Sequence, residues 1–297
     1  MTAAQAEAKS WEDHMSAAQA ALEGGDDIQA EMELKGSIQA AENGNDSLQL
    51  AASLSNLAAL YDAYGEYEAA LPLYERALGI MEAAYGPQSA EAASVLNGLA
   101  ELYRAWERNN DAIPLYERAI AIQEKVLGED HPELAATLNN LAIAMHDMND
   151  FEEAEKLYRR ALAIMEKSAN EARPELADVL VNLGGLLDDR GRYEGALAAF
   201  KQALEVQEKT LEADHPYIAT TLGRMASVFQ AQGNHADAVR LIERALEIRE
   251  SRLGEDHPDL IKSLQNFAKL LRKAGEDNRA KEMDARARTI QESVEAA

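Results

Sequence analysis

The sequence lacks cysteine altogether and is poor in aromatic residues, which make up only 5% of its 297 residues. Without cysteine there can be no disulfide, thiolate nucleophile or cysteine-ligated metal centre. No stretch approaches the roughly 20 apolar residues of a membrane-spanning helix, so we expect no membrane insertion. The N-terminus has no basic flank followed by an apolar core, which predicts no signal peptide and a cytoplasmic protein.

Basic residues are scarce as well. Lysine and arginine total 29 against 53 aspartates and glutamates, which leaves a net charge of −24. Proteins that bind nucleic acid or anionic membranes need a basic surface to meet the phosphates, so we expect neither partner. Hydrophobic residues reach 47%, which is too many for a disordered chain and is typical of a globular one.

What the sequence does contain is a 42-residue internal repeat. Four prolines occur at this spacing, and a histidine precedes three of them. One leucine column and three columns of small residues follow the same step, and agreement in so many columns cannot be chance. The columns are Leu54, Leu96, Leu138, Leu180, Leu222 and Leu264; Ala58, Ala100, Ala142, Gly184, Ala226 and Ala268; Ala70, Ala112, Ala154, Ala196, Ala238 and Ala280; and Ala77, Ala119, Ala161, Ala203, Ala245 and Ala287.

Each repeat has the pattern of two amphipathic helices. In the fourth repeat, apolar residues recur at spacings of four, three and four over residues 134–146, and a second apolar stripe covers residues 151–168. At the start of this repeat, Gly128 ends the preceding helix and Asp130 and Glu133 have the spacing of a capping box. The alanine columns predict helices that cross closely. No single pair could bury its stripe alone, so the pairs must stack.

The domain prediction is a disordered tail at residues 1–9 and one array of helix pairs at residues 10–297. The predicted repeats are residues 10–47, 48–89, 90–131, 132–173, 174–215, 216–257 and 258–297. In the first repeat the spacing slips, because Ala30 precedes Ala70 by two positions fewer than the repeat length. In the last repeat, charged residues replace the apolar members of two further columns and argue that no further repeat stacks there. Asp284 follows Tyr74, Tyr116, Tyr158, Phe200 and Ile242, and Arg288 follows Leu78, Ile120, Leu162, Leu204 and Leu246.

These motifs resemble the tetratricopeptide repeat (TPR), in the 42-residue form of kinesin light chains and many bacterial proteins. They are Leu138-Asn139-Asn140-Leu141-Ala142, Tyr158-Arg159-Arg160-Ala161-Leu162-Ala163-Ile164 and Gly254-Glu255-Asp256-His257-Pro258. The resemblance covers about residues 10–290. It implies an all-α fold, a right-handed superhelical α-solenoid of about seven antiparallel helix pairs. It also implies a concave groove, lined by the first helix of each pair, where peptides bind.

No side chains have the spacing of a catalytic or metal site. His131, His215 and His257 occupy equivalent corners of different repeats, and helices packed roughly 8–10 Å apart keep them from sharing a metal. We expect them to cap the following helices. Nucleophile-elbow, dinucleotide-binding and phosphate-loop motifs are missing from the sequence. The sequence therefore predicts no enzyme, no cofactor and no metal.

Candidate ligand-binding residues lie on the groove face of the first helices. Asparagine can donate to and accept from a peptide backbone, but the column Asn56, Asn140, Asn182 and Asn266 could equally bond the backbone of a neighbouring repeat. Gly98 and Arg224 interrupt this column. The predicted groove residues are Asn97, Arg104, Asn139, Asn140, His146, Asn182, Arg224, Lys262 and Lys269.

Charge is distributed unevenly along the chain. Residues 1–89 hold three basic and fifteen acidic side chains, whereas residues 259–297 hold eight and seven. The first helix of the last repeat carries a basic group that could capture an acidic segment or form a solvated face. This group consists of Lys262, Lys269, Arg272 and Lys273. Asp178, Asp188 and Asp189 would favour a basic segment. Family members that bind a C-terminal carboxylate hold it with a lysine and an asparagine on the early helices. The matching faces here offer Ser55, Ala59 and Asn97 but no lysine, so we do not expect this class of ligand.

The sequence thus predicts a non-catalytic scaffold or adaptor that binds a peptide or protein segment in the groove. Two alternatives stay open. One is a ligand-responsive regulatory module of a bacterial signalling system. The other is a self-assembling scaffold, a homo-oligomer of this chain, which the charges at Asp284 and Arg288 and the net charge of −24 oppose.

Overall fold

The computed structural model describes residues 9–167 and 174–295, and within these ranges it contains fourteen α-helices and no strand. The helices are α1 (Trp11–Glu23), α2 (Asp27–Gly44), α3 (Ser47–Ala63), α4 (Tyr67–Tyr85), α5 (Ala90–Ala105), α6 (Asn109–Val126), α7 (Pro132–Asp147), α8 (Phe151–Lys167), α9 (Pro174–Asp189), α10 (Tyr193–Thr210), α11 (Pro216–Ala231), α12 (His235–Leu253), α13 (Leu260–Lys273) and α14 (Asp277–Glu295). Residues 1–8 of the predicted tail and Ser168 lie outside the described ranges.

The chain forms two compact units, Met1–Leu157 (unit 1) and Tyr158–Ala297 (unit 2). Within unit 1, each helix from α1 to α7 packs against the next one, and within unit 2 the same holds from α9 to α14. First helices also touch across repeats, as α3 does α5, α5 does α7 and α9 does α11. The all-α repeat array is therefore confirmed. The prediction of one domain over residues 10–297 stays a prediction.

Histidine caps α7 and α11, two of the helices that begin with proline. The Nδ1 atom of His131 accepts the Glu133 backbone N–H at 3.4 Å, and that of His215 accepts the Tyr217 N–H at 3.2 Å. The capping role predicted for these two histidines is confirmed. The box expected from Asp130 is wrong by one residue, because Pro132 takes the first helical position and leaves His131 at the N-cap.

The three columns of small residues form the centre of the helix contacts. All six members of the Ala70 column are fully buried, with no measurable exposure. Large rings from the second helices fill the space beside them, and Tyr116, Tyr158 and Phe200 are almost completely buried. Small side chains let the helix backbones approach, and the rings supply the apolar volume.

Two glycines mark places where a ring comes even closer. A Cβ atom at Gly184 would lie 2.6 Å from Cε1 of Phe200, and one at Gly98 would lie 2.9 Å from Cε1 of Tyr74. Gly184 therefore replaces alanine in its column because the Phe200 ring occupies the space of a methyl group. Gly98 interrupts the asparagine column for the same reason.

The turn between the two helices of a pair contains one residue in the left-handed region. This position recurs once in each repeat from the second to the seventh, with φ between 59° and 81°: Gly65, Glu107, Asn149, Gly191, Gly233 and Gly275. Glycine adopts this conformation freely and asparagine tolerates it, whereas a glutamate is strained there. Glu107 is therefore the one member of the set that opposes its turn.

Ion pairs join second helices of successive repeats at a constant separation. Arg118 lies 2.5 Å from Glu82, Arg244 2.5 Å from Glu208 and Arg286 2.7 Å from Glu250, and each pair spans 36 residues. Arg76 pairs with Glu42 across 34 residues. The difference of two has its origin in the turn between repeats, where residues 45–46 join α2 to α3 but residues 86–89 join α4 to α5.

A larger residue in an alanine column should force the helices apart. We expect Ala112→Leu to lower the free energy of unfolding by about 1–3 kcal/mol, because overpacking strains a filled core. Ala121→Leu, an exposed position on the same helix, is the control and should leave stability nearly unchanged. Chemical unfolding followed by circular dichroism measures both, and equal effects would contradict close packing at Ala112.

The strained turn offers a stabilising substitution. We expect Glu107→Gly to raise the free energy of unfolding by about 0.5–1 kcal/mol, since the left-handed backbone costs an L-residue about 1–2 kcal/mol and glycine entropy offsets part of the relief. Asn149→Gly should change stability by less, because asparagine tolerates this backbone region. Thermal unfolding of the two variants beside the wild type tests the order, and a less stable Glu107→Gly protein would refute it.

Candidate binding surfaces on the first helices

The predicted groove residues all lie on first helices. Those of unit 1 lie on α5 (Asn97, Arg104) and α7 (Asn139, Asn140, His146), and those of unit 2 on α9 (Asn182), α11 (Arg224) and α13 (Lys262, Lys269). The three cationic side chains of unit 2 are exposed and the others are half-buried. The structure brings five of these residues into two sites, with Asn97, Arg104 and Asn140 in unit 1 and Lys262 and Lys269 in unit 2.

A polar cluster in unit 1 is centred on Glu101, and we call it the Glu101 cluster. Its centre is Asn97 and Glu101 from α5 and Asn140 from α7, which are joined by hydrogen bonds. Arg104 from α5 and Asp62 from α3 belong to it through their charges, which act on Glu101. The Asn97 amide donates to Oε1 of Glu101 at 2.9 Å, and the Asn140 amide donates to the same oxygen from the next repeat. Asn140 thus bonds a side chain of the neighbouring repeat, Glu101, and not the backbone of that repeat.

Burial shapes the electrostatics of this cluster. Desolvation raises the pKa of the Glu101 carboxyl, although the Asn97 amide and the Arg104 guanidinium lower it in part. Desolvation also raises the pKa of Asp62, and Arg104 opposes that shift. The net direction of both shifts shows that the hydrogen bonds and the single guanidinium do not fully compensate the lost hydration.

Three polar atoms of the Glu101 cluster are inaccessible to solvent and lack a hydrogen-bond partner among the described residues. They are Oδ1 of Asp62, Oδ1 of Asn97 and Nε of Arg104. Buried polar atoms are nearly always paired in folded proteins. The cluster is therefore an incompletely satisfied polar site within the first-helix layer of unit 1.

Two tyrosines border the Glu101 cluster from the second helices. Burial, together with the nearby Asp62 and Glu101 carboxyls, raises the pKa of the Tyr74 hydroxyl. Burial and Glu101 also raise the pKa of Tyr116, while Arg104 opposes the shift. The Tyr74 ring reaches this region because Gly98 has no side chain to block it.

Unit 2 contains a cavity of about 450 Å³ between α11, α12 and α13, which we call the basic cavity. Four cationic side chains line it, Arg249, Lys262, Lys269 and Lys273, and no carboxylate is among its lining residues. The Arg249 guanidinium is held at the wall, where Nη1 donates to Oγ of Ser263 at 2.6 Å. Ser227, Gln230 and Asn266 add neutral polar groups to the lining.

The basic cavity unites three of the four cations that the sequence singled out on α13. Arg272 is not among the lining residues, because it pairs with Asp284 of α14. Sequence reasoning missed Arg249, which sits on a second helix. A signal for it existed, since the same repeat position holds Met81, Gln123, Met165, Gln207 and Gln291, and none of these is charged.

The other predicted residues lie outside both sites. The His146 ring makes an edge contact with Phe151, with centroids 5.6 Å apart. A Cβ atom at Gly185 would lie 3.4 Å from the guanidinium of Arg224, so the arginine lies against that glycine. Burial, with help from Asp189, raises the pKa of Asp188, and Arg224 opposes it. These contacts define no further site.

The part of the chain that the structure describes shows neither a cluster of metal-ligating side chains nor a membrane-spanning helix. There, no group of three or more histidine, aspartate and glutamate side chains is placed to hold a metal ion. None of the described helices is both long and apolar enough to cross a membrane.

Paired helices that recur at the constant period of the sequence define a helical repeat protein. The sequence matches the tetratricopeptide repeat family over residues 14–83, 65–125, 91–167, 175–251 and 217–293, and the chain belongs to that family. No protein of curated function matches the sequence significantly.

Solved structures support the same repeat type. An array of nearly identical TPR-like repeats of kinesin-light-chain kind from Podosopora anserina is 26% identical, with a TM-score of 0.58 over 67% of this chain and 95% of that one. BtubC (BKLC) from P. vanneervenii is 25% identical, with a TM-score of 0.64 over 83% and 93%. A Rap protein complexed with competence and sporulation factor is similar in fold alone, at 16% identity and a TM-score of 0.65 over 96% and 76%. The predicted resemblance to kinesin-light-chain repeats is confirmed.

The desolvated carboxyl of Glu101 should make stability depend on pH. Its folded-state pKa lies above the unfolded value. The folded state is therefore destabilised as pH rises from the unfolded-state pKa through the folded-state pKa. We expect Glu101→Gln to be more stable than the wild type at pH 7, and the difference to shrink near pH 4, below the ordinary glutamate pKa of about 4.3. Melting temperatures at both pH values test this, and a difference that grows on acidification would contradict it.

Proposed function

We propose that this protein is a non-catalytic interaction module whose basic cavity binds an acidic segment of a partner protein. Tetratricopeptide repeat proteins bind proteins or peptides and are typically scaffolds, which supports the general class. The observation that carries the specific proposal is the cavity itself, where four cations converge without a carboxylate in the lining.

Electrostatics favours an anionic ligand. Like charges brought into one cavity repel one another, and a carboxylate between them replaces repulsion by attraction. Lys262, Lys269 and Lys273 have no ion-pair partner in the part of the chain that the structure describes, so binding breaks no existing salt bridge. In a chain of net charge −24, such a local positive field also steers acidic segments to one place.

The size and lining of the cavity fit a peptide segment. Ligand pockets in proteins measure about 300–1,000 Å³, so about 450 Å³ holds one or two acidic side chains with their backbone. Asn266 and Gln230 can each donate to and accept from a peptide group. Charge thus selects the side chains, and the amides hold the main chain of the bound segment.

The remaining groove residues are proposed contacts for segments that extend beyond either site. Asn139 and His146 lie on α7 of unit 1, while Asn182 and Arg224 lie on first helices of unit 2. Their half-buried or exposed side chains give each unit further polar contact points.

The test measures binding of a fluorescein-labelled peptide rich in glutamate and aspartate by fluorescence anisotropy. We expect Lys262→Gln with Lys269→Gln to weaken binding about tenfold or more, which corresponds to about 1.4 kcal/mol. Raising the ionic strength from about 0.01 to about 0.15 M should also weaken binding to the wild type, because the Debye length falls from about 30 to about 8 Å.

The matched control is Lys201→Gln with Lys281→Gln. Both lysines are exposed on second helices of unit 2, so the total charge change is the same but the cavity stays intact. The control protein should bind like the wild type. Equal losses in the two double variants would show that net charge, and not the cavity, attracts the peptide.

A further inference from the structure

The position of Glu101 in the repeat carries different residues in the other repeats. It holds Ala59, Ile143, Gly185, Ser227 and Lys269. The fold therefore accepts an alanine or an isoleucine at this place and does not require a carboxylate. A half-buried glutamate that loses hydration and accepts hydrogen bonds from two amides lowers the stability of the fold. Since the repeat does not need this carboxylate for packing, its presence points to a ligand.

We propose that the Glu101 cluster is a second binding site, which takes the cationic side chain of an arginine or lysine from a partner protein. This site is separate from the basic cavity and goes beyond the function proposed above. It belongs wholly to unit 1 and rests on different residues.

The charge balance of the Glu101 cluster selects the sign of the ligand. Asp62 and Glu101 bring two carboxylates, Arg104 brings one guanidinium, and the two asparagines are neutral. An anion would meet an excess of negative charge in a poorly hydrated place, whereas a cation completes the balance. The described residues give no third carboxylate or histidine to hold a metal here.

The unpaired atoms also select a ligand that donates hydrogen bonds. Oδ1 of Asp62 and Oδ1 of Asn97 are acceptors. Nε of Arg104 is the unpaired donor among the five side chains, and this guanidinium already lies close enough to Asp62 to act on its pKa. The Tyr116 hydroxyl at the border of the cluster is also unpaired, and it can accept as well as donate. A guanidinium with five N–H groups or an ammonium with three matches the open acceptors.

The side chains of the cluster are not fully enclosed. Each of the five side chains is half-buried rather than buried, so each keeps part of its surface exposed. The terminal torsion of aspartate and asparagine is broad and soft. Rotation about it can bring an unpaired oxygen toward an incoming N–H group without moving the backbone.

The experiment follows the side-chain amides of Asn97 and Asn140 by NMR in protein labelled with ¹⁵N-asparagine. The probe is a short Gly/Ser peptide that carries arginines. Its twin contains citrulline, which keeps the shape but removes the charge. We expect the two amide resonances to shift with the arginine peptide and to move far less with the citrulline twin. This comparison needs only the wild-type protein.

Paired variants localise the effect. Asp62→Asn with Glu101→Gln should weaken the arginine peptide about tenfold or more. Glu68→Gln with Glu117→Gln removes two exposed carboxylates from second helices of unit 1 and should leave binding unchanged. Circular dichroism checks that both double variants fold.

Three outcomes would overturn the site. The amides could stay still with the arginine peptide, which would mean that water alone satisfies the cluster. They could respond equally to citrulline, which would make charge irrelevant. Both double variants could lose affinity alike, which would reduce the effect to net charge. Binding of the acidic peptide to the basic cavity is read separately, so failure of one proposal leaves the other intact.

Discussion

The close contact of helices at their alanine columns is the constraint on which the rest of the structure depends. Small residues buried at three positions of each repeat from the second to the seventh bring neighbouring helix backbones together, and in the second to fifth repeats a ring from the second helix fills the space beside them. Where the ring comes closer, as Phe200 does, even a methyl group is excluded and glycine replaces alanine. The contact fixes where every first-helix side chain emerges, and thereby sets the geometry of both candidate sites.

Freedom for function remains on the inner face of the first helices. Glu101 and Lys269 occupy the same position of the repeat, yet one is the centre of a carboxylate cluster and the other lines a cavity of cations. Residues from glycine to isoleucine occupy this position while the columns of small residues stay constant, so exchange here is compatible with the helix contacts. A constant framework can thus present opposite charges in its two units without a change in the fold.

The fold could be predicted almost completely from the sequence, since a repeat of constant length makes the same packing demand many times. The candidate sites could be predicted only in part. Lys262 and Lys269 were found because helical spacing identifies the inner face. Arg249 and Asp62 were not, because their approach to those faces depends on side-chain lengths and on neighbours from other helices. The role of Asn140 needed the structure too, since spacing cannot show which atom of a neighbouring repeat receives its amide.

The two-residue slip in the first repeat shows where the chain can change its length and still keep the alanine columns in register. Each residue added within a helix rotates the following side chains by about 100°, which would turn the alanines away from their contacts. The missing pair of residues is instead absorbed by the turn at residues 45–46, and the Arg76–Glu42 pair simply spans two residues fewer. Changes of length are therefore tolerated at the turns between repeats. Within a helix they would turn the alanine columns away from their contacts.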